Sequence, residues 1–213
     1  MVIVIGGMIG LGKTSIAELI GGHFQTEIFY ESVDDNPILP LFYTSTEEEI
    51  EKNRYPFLLQ LHFLDTRFRS IKKALTHSHN VLDRSIYEDW YFAKVNKELG
   101  RISELEFQLY ERLLDNMLEE LEGLPKKAPD LMVYLKGSFD TVLERITKRG
   151  RSYELDESLR AYYYKLWEGY DQWVMEHYQA SEVIIIDMDQ YDIVHRPEDA
   201  KRVIKMVEER LSK

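Results

Sequence analysis

Eight consecutive residues near the start of the chain have the types and spacing needed to hold a phosphate group. They fit the pattern G-x-x-x-x-G-K-[ST]. They are Gly7, Met8, Ile9, Gly10, Leu11, Gly12, Lys13 and Thr14, with Ser15 directly after them. The glycines let backbone N–H groups turn toward an anion, which the N-terminus of a helix also attracts. The lysine can contact the β- and γ-phosphates and the threonine hydroxyl can ligate Mg²⁺, so we predict a nucleoside triphosphate site here.

Carboxylates follow two further apolar runs that we interpret as strands. Glu31 stands after the run 27–30, and Asp83 with Arg84 stands after the run 80–82. Ligands bind at the carboxyl ends of parallel strands, so these side chains are candidates for an acceptor site. A neutral alcohol must lose a proton to a base, whereas a nucleoside monophosphate is already a dianion and would favour arginine. We rank Glu31 first as the base and Asp83 first as the Mg²⁺ ligand; Asp83 is also a second candidate base, or a plain helix N-cap.

Charge is unevenly distributed along the chain. The stretch 27–51 has eight carboxylates and no Lys or Arg, which favours an uncharged acceptor. The stretch 145–151, RITKRGR, has four basic residues and no acid. Arg145 and Arg149 are four residues apart and so share a helical face. Together with Arg151 they can close over a phosphoryl group and stabilise its charge, although charge runs are usually solvated surface.

Polar residues interrupt the apolar face of a helix that we predict over residues 54–76. Gln60 and Arg67 are seven residues apart, so they share this face with Phe63. Buried polar groups are costly without partners, and an amide suits the edge of a nucleobase, unless this face simply borders solvent. The following aromatic residues are interpreted as core and helix packing and not as a ligand cage: Tyr162, Tyr163, Tyr164, Trp167 and Trp173. No metal-ligand spacing gives a role to His62, His77 or His79.

Short apolar runs alternate with longer amphipathic segments. The runs predict buried strands at residues 2–5, 27–30, 80–82, 131–135 and 183–186. The segments predict helices at residues 13–22, 54–76, 86–98, 103–122, 138–148, 157–178 and 197–211. This alternation indicates an α/β fold with a parallel sheet covered on both faces. Because no linker or repeat divides the chain, we predict one domain over residues 1–213.

The composition excludes several classes of protein. The chain has 213 residues, of which 44% are hydrophobic and 31% are charged, so it is not a disordered chain. It has no cysteine, which excludes disulfides, thiolate metal ligands and thiol nucleophiles. Its formal net charge of −11 argues against a nucleic-acid partner. Because no segment has the pattern of a signal peptide or a membrane span, we expect a cytoplasmic protein without a membrane partner.

Four short stretches together resemble the deoxynucleoside kinase family. They are YESVDDNP, QLHFLDTRFRS, DRSIYED and RGRSYE, and the resemblance covers essentially the whole chain, most closely that of the bacterial purine-preferring members. It implies a P-loop nucleoside/nucleotide-kinase-like three-layer fold, with a five-stranded parallel sheet and a basic lid over the phosphates at about residues 145–156. Ser32 departs from a common proline, and the aromatic residues that flank the base in relatives have no clear match near Leu59 and Ala93.

The resemblance also implies a role for individual residues. Glu31 is similar to the carboxylate that accepts the 5′-hydroxyl proton, Arg84 to the arginine at the 5′-oxygen and the transferring phosphoryl group, and Asp83 to the acid beside Mg²⁺. The remaining matches are Arg145, Arg149 and Arg151 to the lid arginines, Tyr43 and Glu154 to the pair that holds the sugar 3′-hydroxyl, and Gln60, Arg67 and Asp89 to the set that binds the base.

These patterns predict ATP-dependent 5′-phosphorylation of a deoxynucleoside, with deoxyadenosine or deoxyguanosine preferred and deoxycytidine next. Two other hypotheses stay open at this point: a thymidylate-kinase-like nucleoside monophosphate kinase, and a non-enzymatic NTP-dependent interaction module. A guanine-specific switch is disfavoured because no Asn/Thr-Lys-x-Asp stretch occurs late in the chain. The resemblance further implies a homodimer, to which the amphipathic segment 103–122 can contribute, or a heterodimer with a paralogue.

Overall fold

Five parallel strands form one sheet in the part of the chain that the computed structural model describes, which is residues 1–31, 33, 35–76, 79–124 and 128–212. Ser32, Asp34 and His77 lie outside the described residues. The strands are β1 (Val2–Gly7), β2 (Glu27–Phe29), β3 (Asn80–Asp83), β4 (Leu131–Lys136) and β5 (Glu182–Asp187). Their order across the sheet is β2-β3-β1-β4-β5, so β1 is central. All five predicted strands are confirmed to within two residues.

Helices connect the strands and cover the sheet. In chain order they are α1 (Lys13–Phe24), α2 (Leu39–Thr44), α3 (Glu47–Asn53), α4 (Tyr55–Thr76), α5 (Ile86–Glu98), α6 (Glu104–Glu122), α7 (Phe139–Arg149), α8 (Arg160–Glu168), α9 (Tyr170–Glu176) and α10 (Pro197–Leu211). Two 3₁₀ turns, Ser152–Glu154 and Glu157–Leu159, lie between α7 and α8. Among the described residues, no helix is both long and apolar enough to cross a membrane.

The sheet separates two apolar layers. Ile3 and Ile5 of β1 belong to a buried cluster that includes residues of α1 and α10. Val2 and Val4 belong to a second cluster, with residues of α4, α5 and α6. Successive side chains of a strand point to opposite faces, so β1 is apolar throughout because both of its faces are covered. The predicted three-layer α/β architecture is confirmed.

The structure corrects the predicted helices in two places. The predicted helix 157–178 is two helices, α8 and α9, which meet at Gly169. A Cβ at Gly169 would lie 2.8 Å from the hydroxyl oxygen of Tyr91, so this close approach requires glycine. The short helices α2 and α3 lie outside the predicted set; α3 has no buried residue and therefore no apolar periodicity in its sequence.

The aromatic residues of α8 and α9 are only partly the core that their pattern predicts. Tyr163 and Trp173 are buried, in agreement with that prediction. Tyr164 is 47% exposed and packs edge-on against Phe139 at the surface, so its contacts are helix packing and not core. Tyr162 is buried but faces a cavity at the carboxyl edge of the sheet.

Candidate active site

The phosphate-binding loop connects the end of β1 to the start of α1. Gly10 and Gly12 have φ angles of 86° and 88°, a left-handed conformation that favours glycine. α1 begins at Lys13, so its free N–H groups point toward the loop. Lys13 Nζ donates hydrogen bonds of 3.1 Å to the carbonyl oxygens of Gly7 and Met8, which places the ammonium group inside the loop. This arrangement has the geometry of the phosphate site that the sequence predicts.

The charge on Lys13 is sensitive to its surroundings. Burial and the nearby guanidinium of Arg84 lower the pKa of Lys13 to about 8, although Glu31 and Asp83 oppose this shift. The ammonium form is therefore held less firmly than that of an exposed lysine. A bound phosphate chain would favour the charged form, because an opposite charge at close range raises the pKa of an amine.

Glu31 lies just beyond β2, between two buried arginines. Its Oε1 atom accepts a 3.0 Å hydrogen bond from Arg67 Nη2 and lies 2.8 Å from Arg84 Nε. Burial raises the pKa of Glu31, but Arg84, Arg67 and Lys13 outweigh burial and hold that pKa at about 2. Glu31 is consequently a carboxylate at neutral pH, which is the state that a proton acceptor requires.

Asp83 ends β3 beside the phosphate loop. Thr14 Oγ1 donates a 2.6 Å hydrogen bond to Asp83 Oδ2, while Asp83 Oδ1 is buried without a hydrogen-bond partner. Burial raises the pKa of Asp83. A hydroxyl and a carboxylate with a free oxygen are hard ligands of the kind that Mg²⁺ takes together with water and substrate phosphates. These two residues therefore fit the metal, and the N-cap of α5 is Ser85, so the N-cap interpretation of Asp83 is wrong.

Arg84 is held in an uncommon backbone conformation. Its φ angle is 80°, which is unusual for a residue other than glycine and costs about 1–3 kcal/mol. The Arg84 N–H donates a 2.9 Å hydrogen bond to the carbonyl oxygen of Ile5, and the guanidinium lies over the ring of Phe92, 4.6 Å from its centre. This turn places a buried cation beside Glu31.

A cavity lies next to these residues at the carboxyl edge of the sheet. The predicted residues that line it are Lys13, Glu31, Tyr43, Gln60, Arg84, Asp89, Arg149, Arg151 and Glu154. Apolar residues complete the wall; they are Ile9, Val33, Leu39, Leu59, Phe63, Phe92 and Tyr162. Gln60 Oε1 is buried without a hydrogen-bond partner, so it is an acceptor available to a ligand. An apolar cavity with a few convergent polar groups is typical of a small-molecule site.

The structure places Arg67 behind Asp89 and outside the lining of this cavity. Arg67 donates to both carboxylate oxygens of Asp89, at 3.0 and 3.2 Å, and to the carbonyl oxygen of Asp83 at 3.2 Å. With its bond to Glu31, the arginine joins the ends of two strands to α5. The expectation that Arg67 lies at the base pocket is thus modified: Asp89 lines the cavity, and Arg67 orients Asp89.

Phe92 and Tyr162 are cavity residues that the sequence patterns missed. Phe92 immediately precedes Ala93, near which the resemblance implies an aromatic residue. Ala93 itself is fully buried in the second apolar cluster. A shift of one residue along a helix changes the face by about 100°. Aromatic side chains therefore do line the cavity, and they are Phe92 of α5 and Phe63 of α4.

Arg145 connects α7 to the phosphate loop. It donates hydrogen bonds to the carbonyl oxygens of Leu11, at 2.9 Å, and Met188, at 3.0 Å. A Cβ at Gly10 would lie 2.9 Å from Ile146 Cγ1 and 3.2 Å from the carbonyl oxygen of Val142, so α7 packs directly on the loop. Arg145 is next to the predicted ATP site, but its bonds are to backbone carbonyls of the protein.

The rest of the predicted lid follows Gly150, which caps α7 with a φ angle of 71°. Arg149 donates to Glu154, and Arg151 Nη1 lies 3.6 Å from the same carboxylate. Glu154 is buried, while the two arginine side chains are 33% and 30% exposed. Tyr43 is near this group, because its ring stacks on that of Tyr153 with centres 5.6 Å apart. The structure therefore brings the predicted sugar-binding residues and lid arginines together.

A phosphate loop and a second, partly apolar site share one edge of the sheet. A nucleotide switch would need only the first, so fold and site together define a P-loop phosphotransferase that moves a phosphoryl group to a separate small molecule. The profile of the deoxynucleoside kinase family matches residues 3–212, and the chain belongs to this family.

Individual relatives agree with this assignment. A deoxyguanosine kinase of Lactobacillus acidophilus is 46% identical over 213 residues, which cover 99% of this chain and 90% of the relative. A deoxyadenosine kinase of the same organism is 43% identical, covering 99% and 96% of the two chains. The solved structure of an M. mycoides deoxyadenosine kinase with bound dATP is 27% identical, covers both chains fully and superposes with a TM-score of 0.79. The predicted family, fold and activity as a deoxynucleoside kinase are confirmed.

Proposed function

We propose that this enzyme uses Mg²⁺ and ATP to phosphorylate the 5′-hydroxyl of a purine deoxynucleoside. The observation that carries the proposal is the placement of Glu31, an ionised carboxylate held between Arg67 and Arg84 at the wall of the cavity and beside Lys13. Relatives named deoxyguanosine kinase and deoxyadenosine kinase, at 43–47% identity, support a purine as the base.

In the proposed reaction Glu31 accepts the proton of the 5′-hydroxyl as that oxygen attacks the γ-phosphorus of ATP. The bond from the γ-phosphorus to the β,γ-bridging oxygen breaks, and ADP leaves with the electron pair. With a pKa of about 2, Glu31 is a weak base, so the proton moves late, once the new O–P bond has acidified the hydroxyl. Arg84 and Lys13 stabilise charge on the phosphoryl oxygens. Mg²⁺, held by Thr14 and Asp83, would supply further neutralisation of the phosphates.

The base and the sugar are bound by different walls of the cavity. Gln60 offers its unpartnered Oε1 and its amide group to the base edge, and Asp89 offers a carboxylate oriented by Arg67. Tyr43 and Glu154 hold the sugar 3′-hydroxyl. Phe63 and Phe92 provide apolar area for the face of the base.

An assay of phosphate transfer tests the proposal directly. Labelled ATP should transfer its γ-phosphate to deoxyguanosine or deoxyadenosine best, to deoxycytidine less well and to thymidine least. The four 5′-monophosphates are the matched control, since they carry the same bases but no free 5′-hydroxyl. Faster transfer to a monophosphate, or thymidine as the preferred acceptor, would contradict the proposal. Removal of Mg²⁺ with a chelator should abolish transfer to every acceptor.

The roles of Arg67 and Asp89 in base choice are tested separately. We expect simultaneous Arg67→Met and Asp89→Leu to raise the thymidine-to-deoxyguanosine ratio of kcat/KM, because polar groups that thymine leaves unpaired are removed. Arg67→Met alone should cost about 3–5 kcal/mol of stability, because it leaves the buried Asp89 carboxylate without its hydrogen-bond donor. Asp89→Leu alone should cost less, because Arg67 keeps its bonds to Glu31 and to the Asp83 carbonyl oxygen. Asp65 and Arg69 form an exposed ion pair on α4, and their double alanine variant is the control. An unchanged ratio would show that this pair does not affect base choice.

The predicted homodimer and the cytoplasmic location are part of the same proposal. Leu105 and Leu109 of α6 are 74% and 40% exposed, and Leu58 of α4 is 40% exposed, which supports the predicted use of α6 as an interface. Light scattering should give twice the mass of one chain. Leu105→Glu together with Leu109→Glu should reduce it to one chain if this surface is the interface.

A further inference from the structure

Glu88 is a charged residue with no exposed surface and no role in the reaction proposed above. It lies in the first turn of α5, and its side chain is 0% exposed. Burying a carboxylate without partners is costly, so its contacts indicate what it is for. Glu88 Oε1 accepts a 2.9 Å hydrogen bond from the N–H of Gly7, the first residue of the phosphate loop. Arg84 Nη1 lies 3.6 Å from the same oxygen.

The two carboxylate oxygens of Glu88 have different partners. Glu88 Oε2 accepts from the Ser85 N–H at 2.8 Å and closes a capping box at the start of α5. Glu49 and Glu106 close similar boxes on α3 and α6. Glu49 is exposed and Glu106 bonds Arg54 at the surface, so neither reaches the site. A capping box explains Oε2 of Glu88, whereas Oε1 extends to the phosphate loop.

Tyr170 of α9 completes the group. Its hydroxyl donates to Glu88 Oε1, lies 3.3 Å from the carbonyl oxygen of Gly7 and accepts from Arg84 Nη1 at 3.5 Å. Burial, followed by the charge of Glu88, raises the pKa of Tyr170 well above its ordinary value, so the hydroxyl remains a donor. The ring is fixed by stacking on Tyr134 at 5.9 Å and by an edge contact with Tyr91 at 5.0 Å.

The strand next to this group leaves space for it. A Cβ at Gly6 would lie 3.3 Å from Glu88 Cδ and Oε1, and 2.1 Å from Met132 Cε. A side chain at position 6 would therefore displace Met132 and also press on the Glu88 carboxylate. Glycine at this position, one residue before the phosphate-binding pattern begins, leaves room for both side chains.

We propose that Glu88 and Tyr170 are positioning residues that hold the phosphate loop and Arg84 in one fixed relation for phosphoryl transfer. Gly7 belongs to the donor site and Arg84 to the acceptor site, and the two residues contact both. The inference rests on the proposed function, because Arg84 is taken to contact the transferring group. Since a misplacement of about 1 Å can cost about 10²-fold in rate, loss of this link should reduce kcat more than substrate binding.

The first experiment replaces Tyr170 with phenylalanine, which removes the hydroxyl and keeps the ring. Tyr91→Phe is the matched control: the Tyr91 hydroxyl is also buried and donates at 2.6 Å to the Leu166 carbonyl oxygen, but it does not contact the phosphate loop. We expect kcat of Tyr170→Phe to fall by about 10-fold or more, with KM for deoxynucleoside within about twofold. Tyr91→Phe should lower Tm but leave kcat within about twofold.

A second variant tests the carboxylate itself. In Glu88→Gln the amide nitrogen cannot accept a hydrogen bond, so one of the two N–H groups loses its partner. Its control is Glu49→Gln, which weakens a capping box remote from the site. We expect Glu88→Gln to reduce kcat at least as much as Tyr170→Phe, and the double variant to show less than the product of the two effects.

The outcomes separate this inference from the proposed function. Values of kcat within twofold of the unmodified enzyme for both Tyr170→Phe and Glu88→Gln, measured on protein that is folded by circular dichroism, would overturn it. So would an equal loss of kcat in Tyr91→Phe. If the unmodified enzyme preferred a different acceptor, the proposed function would fail, whereas the ratio of variant to unmodified kcat on that acceptor would still decide the positioning role.

Discussion

The basic residues of this active site occupy two regions that hold them in opposite ways. At the carboxyl edge of the sheet, Arg67 and Arg84 are 5% exposed and contact carboxylates from different elements, among them Glu31, Asp89 and Glu88. In the lid, Arg149 and Arg151 are about one-third exposed and share one carboxylate, Glu154. In the first region several carboxylates surround two buried cations, whereas in the second two partly exposed cations contact the same acid.

The two sets of arginines differ in how firmly their partners hold them before substrates bind. Arg67 and Arg84 are held by partners from several elements, so they are already in place when charge develops in the transition state. Little free energy is then needed to reorganise them. The edge is therefore preorganised. If Glu154 binds the sugar as proposed, the lid arginines exchange this partner for phosphate oxygens when substrates bind.

The largest effect should come from the edge. Glu31→Gln retains the size of the side chain and an oxygen for Arg67, but it removes the base. General-base contributions amount to about 10²–10⁴-fold, so we expect kcat to fall by that factor with little change in nucleoside binding. Steady-state kinetics with deoxyguanosine, next to an equilibrium binding measurement, checks this. If kcat is retained and only KM rises, Glu31 is a binding residue and Asp83 becomes the candidate base.

A smaller and more selective effect is expected in the lid. Glu154→Gln weakens the bond to the sugar 3′-hydroxyl, and hydrogen bonds to charged groups contribute about 1.5–3 kcal/mol, or about 10- to 150-fold. The unmodified enzyme should therefore discriminate deoxynucleosides from 2′,3′-dideoxynucleosides by about this factor in kcat/KM, and the variant should discriminate much less. Equal discrimination in both proteins would show that Glu154 does not bind this hydroxyl.

The third prediction concerns pH and the edge cation Lys13. Its pKa of about 8 means that the ammonium form is lost as pH rises through 8, and kcat/KM for ATP should fall by up to about tenfold per pH unit above that value. Lys13→Arg, which cannot lose its proton in this range, should show no such decline. Glu31, with a pKa of about 2, should give no acidic decline between pH 5 and pH 7.

The smallest effect should come from Arg151 of the lid. The pair of Arg151 and Glu154 is 3.6 Å apart and partly solvated, and such pairs contribute about 0.2–1 kcal/mol. Loss of this pair in Arg151→Gln should thus lower the free energy of unfolding by about 0.2–1 kcal/mol, less than Arg149→Gln, whose side chain hydrogen bonds the carboxylate. Denaturant unfolding of the two variants checks this, and a larger loss of stability from Arg151→Gln would reverse the ranking.

Local patterns were sufficient for the sheet and for the residues that end its strands. The residue spacing of the phosphate loop is fixed by the anion that it binds. Parallel strands that are buried on both faces are continuous apolar runs, so each can be recognised from its own sequence. Glu31 and Asp83 follow from these because the ends of parallel strands meet at one edge. The phosphate loop and the position of Glu31 at this edge were predictable for this reason.

Other features depend on contacts between distant elements, and no local pattern contains them. The spacing of Ser85 and Glu88 predicts a capping box. The further bonds of Glu88 to Gly7 and Tyr170 join residues that are distant in the sequence, so the spacing does not predict them. The division of α8 from α9 results from the Tyr91 hydroxyl against Gly169. Phe92 differs from the expected aromatic position by one residue, which only the packing of α5 can decide.

The close packing of α7 on the phosphate loop limits how the site can open. At Gly10 there is no room even for a methyl group beside Ile146, and Arg145 bonds the loop from the same helix, so α7 cannot slide across it. Gly150, at the end of the same helix, has more space, since the nearest atom to an added Cβ is 4.0 Å away. Arg145 is thus tied to the phosphate loop, whereas Arg149 and Arg151, on either side of Gly150, both reach Glu154.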